Sequence, residues 1–371
     1  MWLRPLIAVI GLGMFVGAIF YANRGTLESE NLFMNWVFAP GVVTEILEDN
    51  TFYFDDNPHE LVGHLRYEVR LRNGEYREAT FHIIRVGQEI FEIGDRVVVR
   101  YHEMDGVAAQ GEIYNRDRSA ILVGMVILFL LVLVILGGKS GIKTVGSLIF
   151  TMASLIFLLN PLLLRGYPAI LTTLVILSIV SVTVLVFISG FTKKTAVAAL
   201  SCIIGVFCAA LIAHLAGIFA GINGFNTENI GFIVHASENN GITVDAAGFF
   251  ISGVLIASLG AVMDTAVSIA SGTQEIKAAN PSLSRSQLFK ASYNIGKDVM
   301  GTMANTLILA FAGSALNLIL TMSALQISFT QMINNDFLGV EIIRSLGGSL
   351  GIAFTVPAAA IIGSWLFDKG N

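Results

Sequence analysis

Three features of the sequence predict an α-helical polytopic membrane protein with about eight transmembrane helices and one small all-β extracytoplasmic domain. These are sparse charge, long uncharged apolar runs, and a single charge-rich stretch with alternating pattern. Of 371 residues only 13% are charged and 54% hydrophobic, with a mean hydropathy of +0.74, whereas a soluble domain carries roughly 25% charge. Residues 23–118 hold 28 charged side chains (10 Lys+Arg, 18 Asp+Glu) and the other 275 residues hold 21 (12 and 9). The net charge of −5 therefore divides into −8 for that stretch and +3 elsewhere. No basic patch dense enough to hold phosphates lies outside short loops, which excludes a nucleic-acid partner.

The domain plan that follows is an N-terminal anchor over 1–22, an extracytoplasmic β-domain over 23–118 and a seven-helix membrane domain over 119–371. Crossing about 30 Å of hydrocarbon takes roughly 20 helical residues. Suitable runs lie near 4–22, 119–138, 144–164, 168–190, 196–220, 246–271, 299–322 and 343–366. Residues 326–335 (Gln326, Ser328, Thr330, Gln331, Asn334, Asn335) are too polar for a further span and read as an outer loop or interfacial segment. Residues 273–297, with Glu275, Lys277, Arg285, Lys290 and Lys297, read as an amphipathic cytoplasmic connector.

Orientation follows from the loop cations. With the N-terminus cytoplasmic, the inner side collects Arg4, Lys139, Lys143, Lys193, Lys194, Lys277, Arg285, Lys290, Lys297 and Lys369, while the outer short connections hold Arg165 and Arg344. Both termini are then cytoplasmic and residues 23–118 lie outside. The first span is favoured as an uncleaved anchor over a cleaved signal peptide, because Phe20-Tyr21-Ala22 makes a poor small-residue cleavage site.

Within the outer stretch, Gly41–Leu47, His64–Leu71, Tyr76–Ile84 and Arg96–Tyr101 alternate with period two and are rich in β-branched and aromatic residues, the signature of half-buried strands. Asn73-Gly74 is a hairpin turn and Gly94-Asp95 a second turn. About five strands in this length suggest an OB-like or SH3-like barrel. His59 and His64 are five apart, where a zinc-protease helix needs four, so no metal is assigned; nor is any cofactor.

An ionisable group at membrane depth is a functional candidate by default. The sixth span carries Asp264 with Thr265, Ser268 and Ser271, and places Asp264, Ser268 and Ser271 on one face behind Gly260 and Gly253. The seventh carries Asp298, Thr302 and Asn305 on one side, so that Lys297 or Asn305 is placed to meet Asp264. Asn317 and His214 are weaker candidates. Asn160-Pro161 and Pro357 are expected to interrupt helices, as in many transporter sites. Cys202 and Cys208 lie in an apolar run and read as small hydrophobes. With no phosphate loop, nucleophile elbow or metal-protease helix, no catalytic residue is assigned and an enzyme is not expected.

The stretches Gly260-Ala-Val-Met-Asp264-Thr-Ala-Val-Ser268-Ile-Ala-Ser271 and Gly296-Lys-Asp298-Val-Met-Gly301-Thr-Met-Ala-Asn305-Thr306 resemble the signature segments of the YibE/F family of bacterial membrane proteins. The resemblance implies one anchor span, an extracytoplasmic domain and a multi-span region, and it implies importance for Asp264 and Asn305; it supplies no substrate. The expectation is a transporter or channel for an ion or small solute, with Asp264, Thr265, Ser268, Ser271, Asp298, Thr302 and Asn305 at the binding site. The alternative is a sensory or accessory protein whose outer domain binds an envelope component or partner. The expected surroundings are the lipid bilayer, and the 37 glycines suit either a homo-oligomer or packing inside one bundle.

Overall fold

A computed structural model describes residues 17–23, 36–53, 61–83, 90–104, 107–108, 110–225, 230–231, 233–234 and 242–368. The chain divides into two compact units, residues 28–136 and residues 1–27 with 137–371. The acidic segment around His59 lies outside the described residues.

In the first unit the strands are β1 (Trp36–Tyr53), β2 (Leu61–Leu71), β3 (Tyr76–Ile83), β4 (Arg96–Met104), the two-residue β5 (Val107–Ala108) and β6 (Gly111–Arg116). The order β1-β2-β3-β6-β4 closes on itself through β1–β4, giving a five-stranded barrel with β5 on the edge of β4. All pairings are antiparallel except β3–β6. The expected alternation holds: Leu65, Tyr67, Val69 and Leu71 on β2, Ala79, Phe81 and Ile83 on β3, and Val97, Val99 and Tyr101 on β4 fill one core with Phe91 and Ile113. Both expected turns are present, with Gly74 and Gly94 at φ +92° and +99°.

One strand serves both sides of the barrel because of a glycine. Gly41 pairs with Leu71 of β2 and with Val97 of β4, and a Cβ there would lie 2.6 Å from Val69 Cγ1 and 3.0 Å from the Arg70 carbonyl oxygen. Two bulges, at Val43/Glu45 and Ile46/Glu48, bend the same strand and add local twist.

Tyr67 is wholly buried in this core, and its hydroxyl has no hydrogen-bond partner. Burial pushes its phenol from 10.0 up to about 12, and the nearby Phe91 amide offsets part of the rise. Ionisation is thus resisted only in the folded barrel. Stability is full below pH 10 and falls as pH climbs from 10 through 12, by up to about 3 kcal/mol. Tyr67→Phe is expected to flatten this component and to be neutral or stabilising at pH 7, since it removes an unpaired polar atom. Urea midpoints of the detergent-solubilised full chain, measured for both proteins from pH 8 to 12, check this; parallel curves would refute it.

The helical elements are α1 (Ser119–Ser154), a π-turn at Leu155–Leu159, α2 (Asn160–Leu164), α3 (Ala169–Ser189), α4 (Lys193–Ala220), α5 (Ala246–Ala279), α6 (Arg285–Ser314), α7 (Leu316–Ala324), α8 (Phe329–Ile333) and α9 (Asp336–Asp368). Among the described residues five helices are long and apolar enough to cross a membrane, or six when α6 and α7, bent by 54°, are taken as one. The expected count of about eight differs for identifiable reasons. Most of the first span lies outside the described residues. The second and third fuse into one helical run, Ser119–Leu164, broken only at Gly138 (φ 53°, ψ −129°). Lys139 and Lys143, expected in a loop, are therefore helical. The expected connector over 273–297 is also no separate element: α5 runs to Ala279, and after a short turn the Ser284/Gln287 capping box starts α6 at Arg285.

Asn160-Pro161, expected to interrupt a helix, instead follows a π-turn while the backbone stays helical through it. Pro161 has no N–H to give the Phe157 carbonyl, and Asn23 Nδ2 donates to that oxygen instead, at 2.7 Å. Arg165 Nη1 also donates to the Tyr21 carbonyl at 3.0 Å, so residues 17–23 end against the turn between α2 and α3. Pro357 leaves α9 unbroken. Packing by α4, α5 and α6 supports that helix past the lost hydrogen bond.

Candidate functional site

α5 starts where the Asp245 carboxylate accepts the Gly248 amide (2.8 Å). One side of this helix, with Val254, Ser258, Val262, Thr265, Ala266 and Ile269, is buried against the rest of the bundle. Thr265 belongs to that packed side, and its hydroxyl returns to the Ala261 carbonyl of its own helix (2.8 Å). The other side carries Gly253, Ala257, Gly260, Asp264, Ser268 and Ser271 at helical spacing. Asp264 and Ser268 are exposed there and Ser271 is half-buried. Among the described residues the Asp264 carboxylate accepts no hydrogen bond and forms no ion pair. α4, α6 and α9 all pack against α5, and of the residues on the Asp264 face Gly253 is the one reached from α9, by Arg344.

α6 runs antiparallel beside α5, and three close approaches fix the register. Thr273 Oγ1 donates to Ser292 Oγ (2.8 Å), Gly272 lies against Ile295, and both Ser258 and Leu307 abut Gly348. This register sets Thr302 level with Asp264 and Asp298 level with Ser268. All of Asp298, Thr302 and Asn305 are exposed. They fall roughly opposite Gly296, whose side of α6 is buried with Leu288, Ser292 and Leu307. The Thr302 hydroxyl bonds back to the Val299 carbonyl (2.9 Å), and Lys297 Nζ lies 5.2 Å above the Tyr293 ring. The structure thus brings the two polar faces to one depth without joining them: neither Lys297 nor Asn305 meets Asp264. His214 and Asn317 are exposed on α4 and α7.

A charged pair that the sequence reading overlooked completes the track. Glu341 and Arg344 form an ion pair at 2.6 Å, one turn apart on α9. Arg344 reaches α5, where a Cβ on Gly253 would sit 3.7 Å from its Nη2. Glu341 Oε2 and Arg344 Nε are buried without partners. Starting the eighth span at residue 343 left Glu341 outside it, and counting Arg344 with the outer connections hid the pair. The three-residue spacing of opposite charges beside an apolar run was the available signal. Asp264 lies eleven residues beyond Gly253 along α5, about 16 Å, with only Ala257 and Gly260 on the face between them.

The barrel carries a separate cluster. Trp36 and His102, cross-strand partners, have ring centroids 3.6 Å apart. Arg100 lies 4.8 Å above Trp36 and 5.9 Å from the Tyr114 ring, and pairs with Glu112 at 2.5 Å. Phe38 packs edge-on against Tyr114 (5.2 Å), and both are more than half exposed. No group of three or more His, Cys, Asp or Glu side chains among the described residues is placed to hold a metal ion.

Comparison with protein-family models matches residues 125–369 to the family described as YibE/F-like protein. Comparisons with curated proteins and with solved structures find no match. The match leaves the barrel out and contains all of α5, α6 and α9, including Asp264, Asn305 and the Glu341–Arg344 pair. With about two thirds of its 371 residues matched, the chain belongs to the YibE/F-like family.

Proposed function

We propose that this protein is a membrane transporter or channel for an ion or small solute, with Asp264 as the charge at the site. The observation that carries the reading is an unpartnered carboxylate in the middle of an apolar helix, in line with a half-satisfied ion pair along a face of small side chains. A carboxylate facing hydrocarbon costs several kcal/mol, so such groups face a pathway or a partner. Ser268 and Ser271 supply further polar lining on the same face, Thr302 and Asp298 lie level with it on a separate face of α6, and Thr265 holds the helix behind them.

Eight spans fit the helices. The run Ser119–Leu164 would be about 69 Å long, more than twice the bilayer core of about 30 Å, so its break at Gly138 divides two spans. The bent pair α6–α7 makes one more, and residues before Asn23 the first. The loop cations favour both termini on the cytoplasmic side and the barrel outside, and the family likeness favours a bacterial cell membrane.

A second reading, recognition of an envelope component or partner by the barrel, is favoured by the cluster of exposed Phe38 and Tyr114 with half-buried Trp36, Arg100 and His102, on a strand order like that of OB folds. Aromatic and arginine side chains dominate binding hot spots.

A thermal-stability screen of the purified protein against ions and metabolites, on wild type and Asp264→Asn together, separates the two. A ligand at one hundred times its dissociation constant adds about 2.7 kcal/mol. The transport reading expects a shift in wild type that the variant lacks. A shift that survives in Asp264→Asn but disappears in Trp36→Ala/Arg100→Ala assigns the ligand to the barrel instead.

A further inference from the structure

The barrel and the start of α1 belong to one unit, and almost nothing separates them. β6 ends at Arg116, the Asp117 amide still donates to the Arg96 carbonyl (2.8 Å), and the Asp117 carboxylate already caps the helix by accepting the Ser119 amide (2.9 Å). From Ile121 onward the helix is apolar, and Ile121 through Phe129, except for Gly124, are large hydrophobics more than half exposed. A hydrocarbon boundary that admits this helix therefore lies within about one turn of Ser119. The barrel end from which the helix leaves then rests on the bilayer surface, with no linker to hold it away.

Register identifies that end. Val97 pairs with Arg116, Val42 with Arg96 and Gly41 with Leu71, which gathers the Arg72–Tyr76 hairpin, the Glu92–Arg96 turn and Arg118 on one rim. The Ser119 hydroxyl and amide, then Arg96 and Arg72, hold the Asp117 carboxyl below its usual range, which places both guanidinium groups near the helix start. Arg72, Arg96 and Arg118 are exposed and form no ion pair among the described residues. Asp95 on this rim is taken by Arg116 (3.0 Å); Glu75 and Glu92 share the rim. Ile93 and Tyr76 stand out from it, 65% and 59% exposed.

We propose that this rim is a lipid-docking surface, in which Arg72, Arg96 and Arg118 engage the phosphodiester groups of anionic lipids while Ile93 and Tyr76 sit in the headgroup layer. Planar guanidinium groups grip phosphate through paired hydrogen bonds, and an aromatic ring favours the membrane interface. The absence of lysine among the ten basic residues of 23–118 gains a rationale at this rim. The proposal rests on reading α1 as a membrane span.

The test uses the full chain in nanodiscs, with Cys202→Ala and Cys208→Ala as background and a fluorophore on Ile93→Cys or, as the distant control, Phe52→Cys. Phe52 pairs with Val62, nine residues along β2 from the rim and so about 30 Å away. Lipids with a headgroup quencher should quench the label at residue 93 and not at residue 52. Quenching should rise about threefold or more when phosphatidylglycerol replaces phosphatidylcholine, and that rise should vanish in Arg72→Gln/Arg96→Gln/Arg118→Gln. Inorganic phosphate should compete no better than sodium chloride of equal ionic strength; selective competition by phosphate would assign the arginines to a free anion and overturn the proposal. Equal quenching at both labels, or equal quenching in both lipids, would overturn it too. Failure of the protein to float with vesicles after an alkaline wash would instead remove the membrane reading itself.

Discussion

Replacing Asp264 with asparagine is expected to cut solute movement through the reconstituted protein roughly thirty- to a hundredfold while leaving its melting temperature close to that of wild type. Contacts to a charged group contribute about 2–3 kcal/mol, and each 1.4 kcal/mol is about a factor of ten. Folding should tolerate the change because the carboxylate holds no partner among the described residues and asparagine keeps its shape. Asp264→Leu sharpens the experiment. Were this face merely lipid-exposed, leucine would stabilise the protein and leave its activity alone; lining a pathway, it should block flux as asparagine does. Proteoliposome flux of the ligand found by the stability screen, compared across the three proteins, decides it. Full activity in Asp264→Asn would end the carboxylate's role.

Gly205→Leu should prevent the helical bundle from closing. Ser201, Gly205, Ala209, Ala213 and Gly217 form a buried stripe on α4, and Gly347, Gly351, Thr355, Ala359 and Gly363 form another on α9. The two backbones meet along these stripes, as small residues allow in lipid. A single added Cβ at Gly205 would overlap Thr355 Oγ1 and come within 3.1 Å of the Gly351 carbonyl oxygen. Overpacking of this kind costs about 1–3 kcal/mol even for alanine, and leucine carries the same Cβ with three further carbons. Gly301 is the matched control: it is helical and exposed, with nothing within 4 Å of a Cβ, so Gly301→Ala should stay within about 1 kcal/mol of wild type. Thermal unfolding in detergent reads both, and an unchanged melting temperature for Gly205→Leu would refute the seam.

Where the sequence was legible, short-range physics decided the structure. Alternation along β2, β3 and β4 and the glycines of two turns define most of the barrel, because strand faces and positive φ leave local marks. The β1 boundaries were not legible, since two bulges break the alternation after Val43, and the parallel β3–β6 pairing links strands with no local signal between them. In the helical part, helical spacing alone places Asp264, Ser268 and Ser271 on one face. Lys139 and Lys143 misled because a charge marks a membrane boundary without ending a helix, and Pro357 misled because tertiary packing substitutes for one lost hydrogen bond. Rotation of α6 relative to α5 was equally out of reach. It turns on close packing at Gly296 and Gly272, and it decides that Asn305 points elsewhere.

The Phe157 carbonyl has a consequence for biosynthesis. Its partner, Asn23, is made 134 residues earlier, so on the eight-span reading the first helix waits in the bilayer while the barrel and one further span are made. Only when residues 155–164 emerge does the socket left by Pro161 exist to receive it. A chain whose first helix had been clipped away would present a bare carbonyl to hydrocarbon, a defect of several kcal/mol that membrane quality control could recognise. Retention of that helix is then written into a proline far downstream of it.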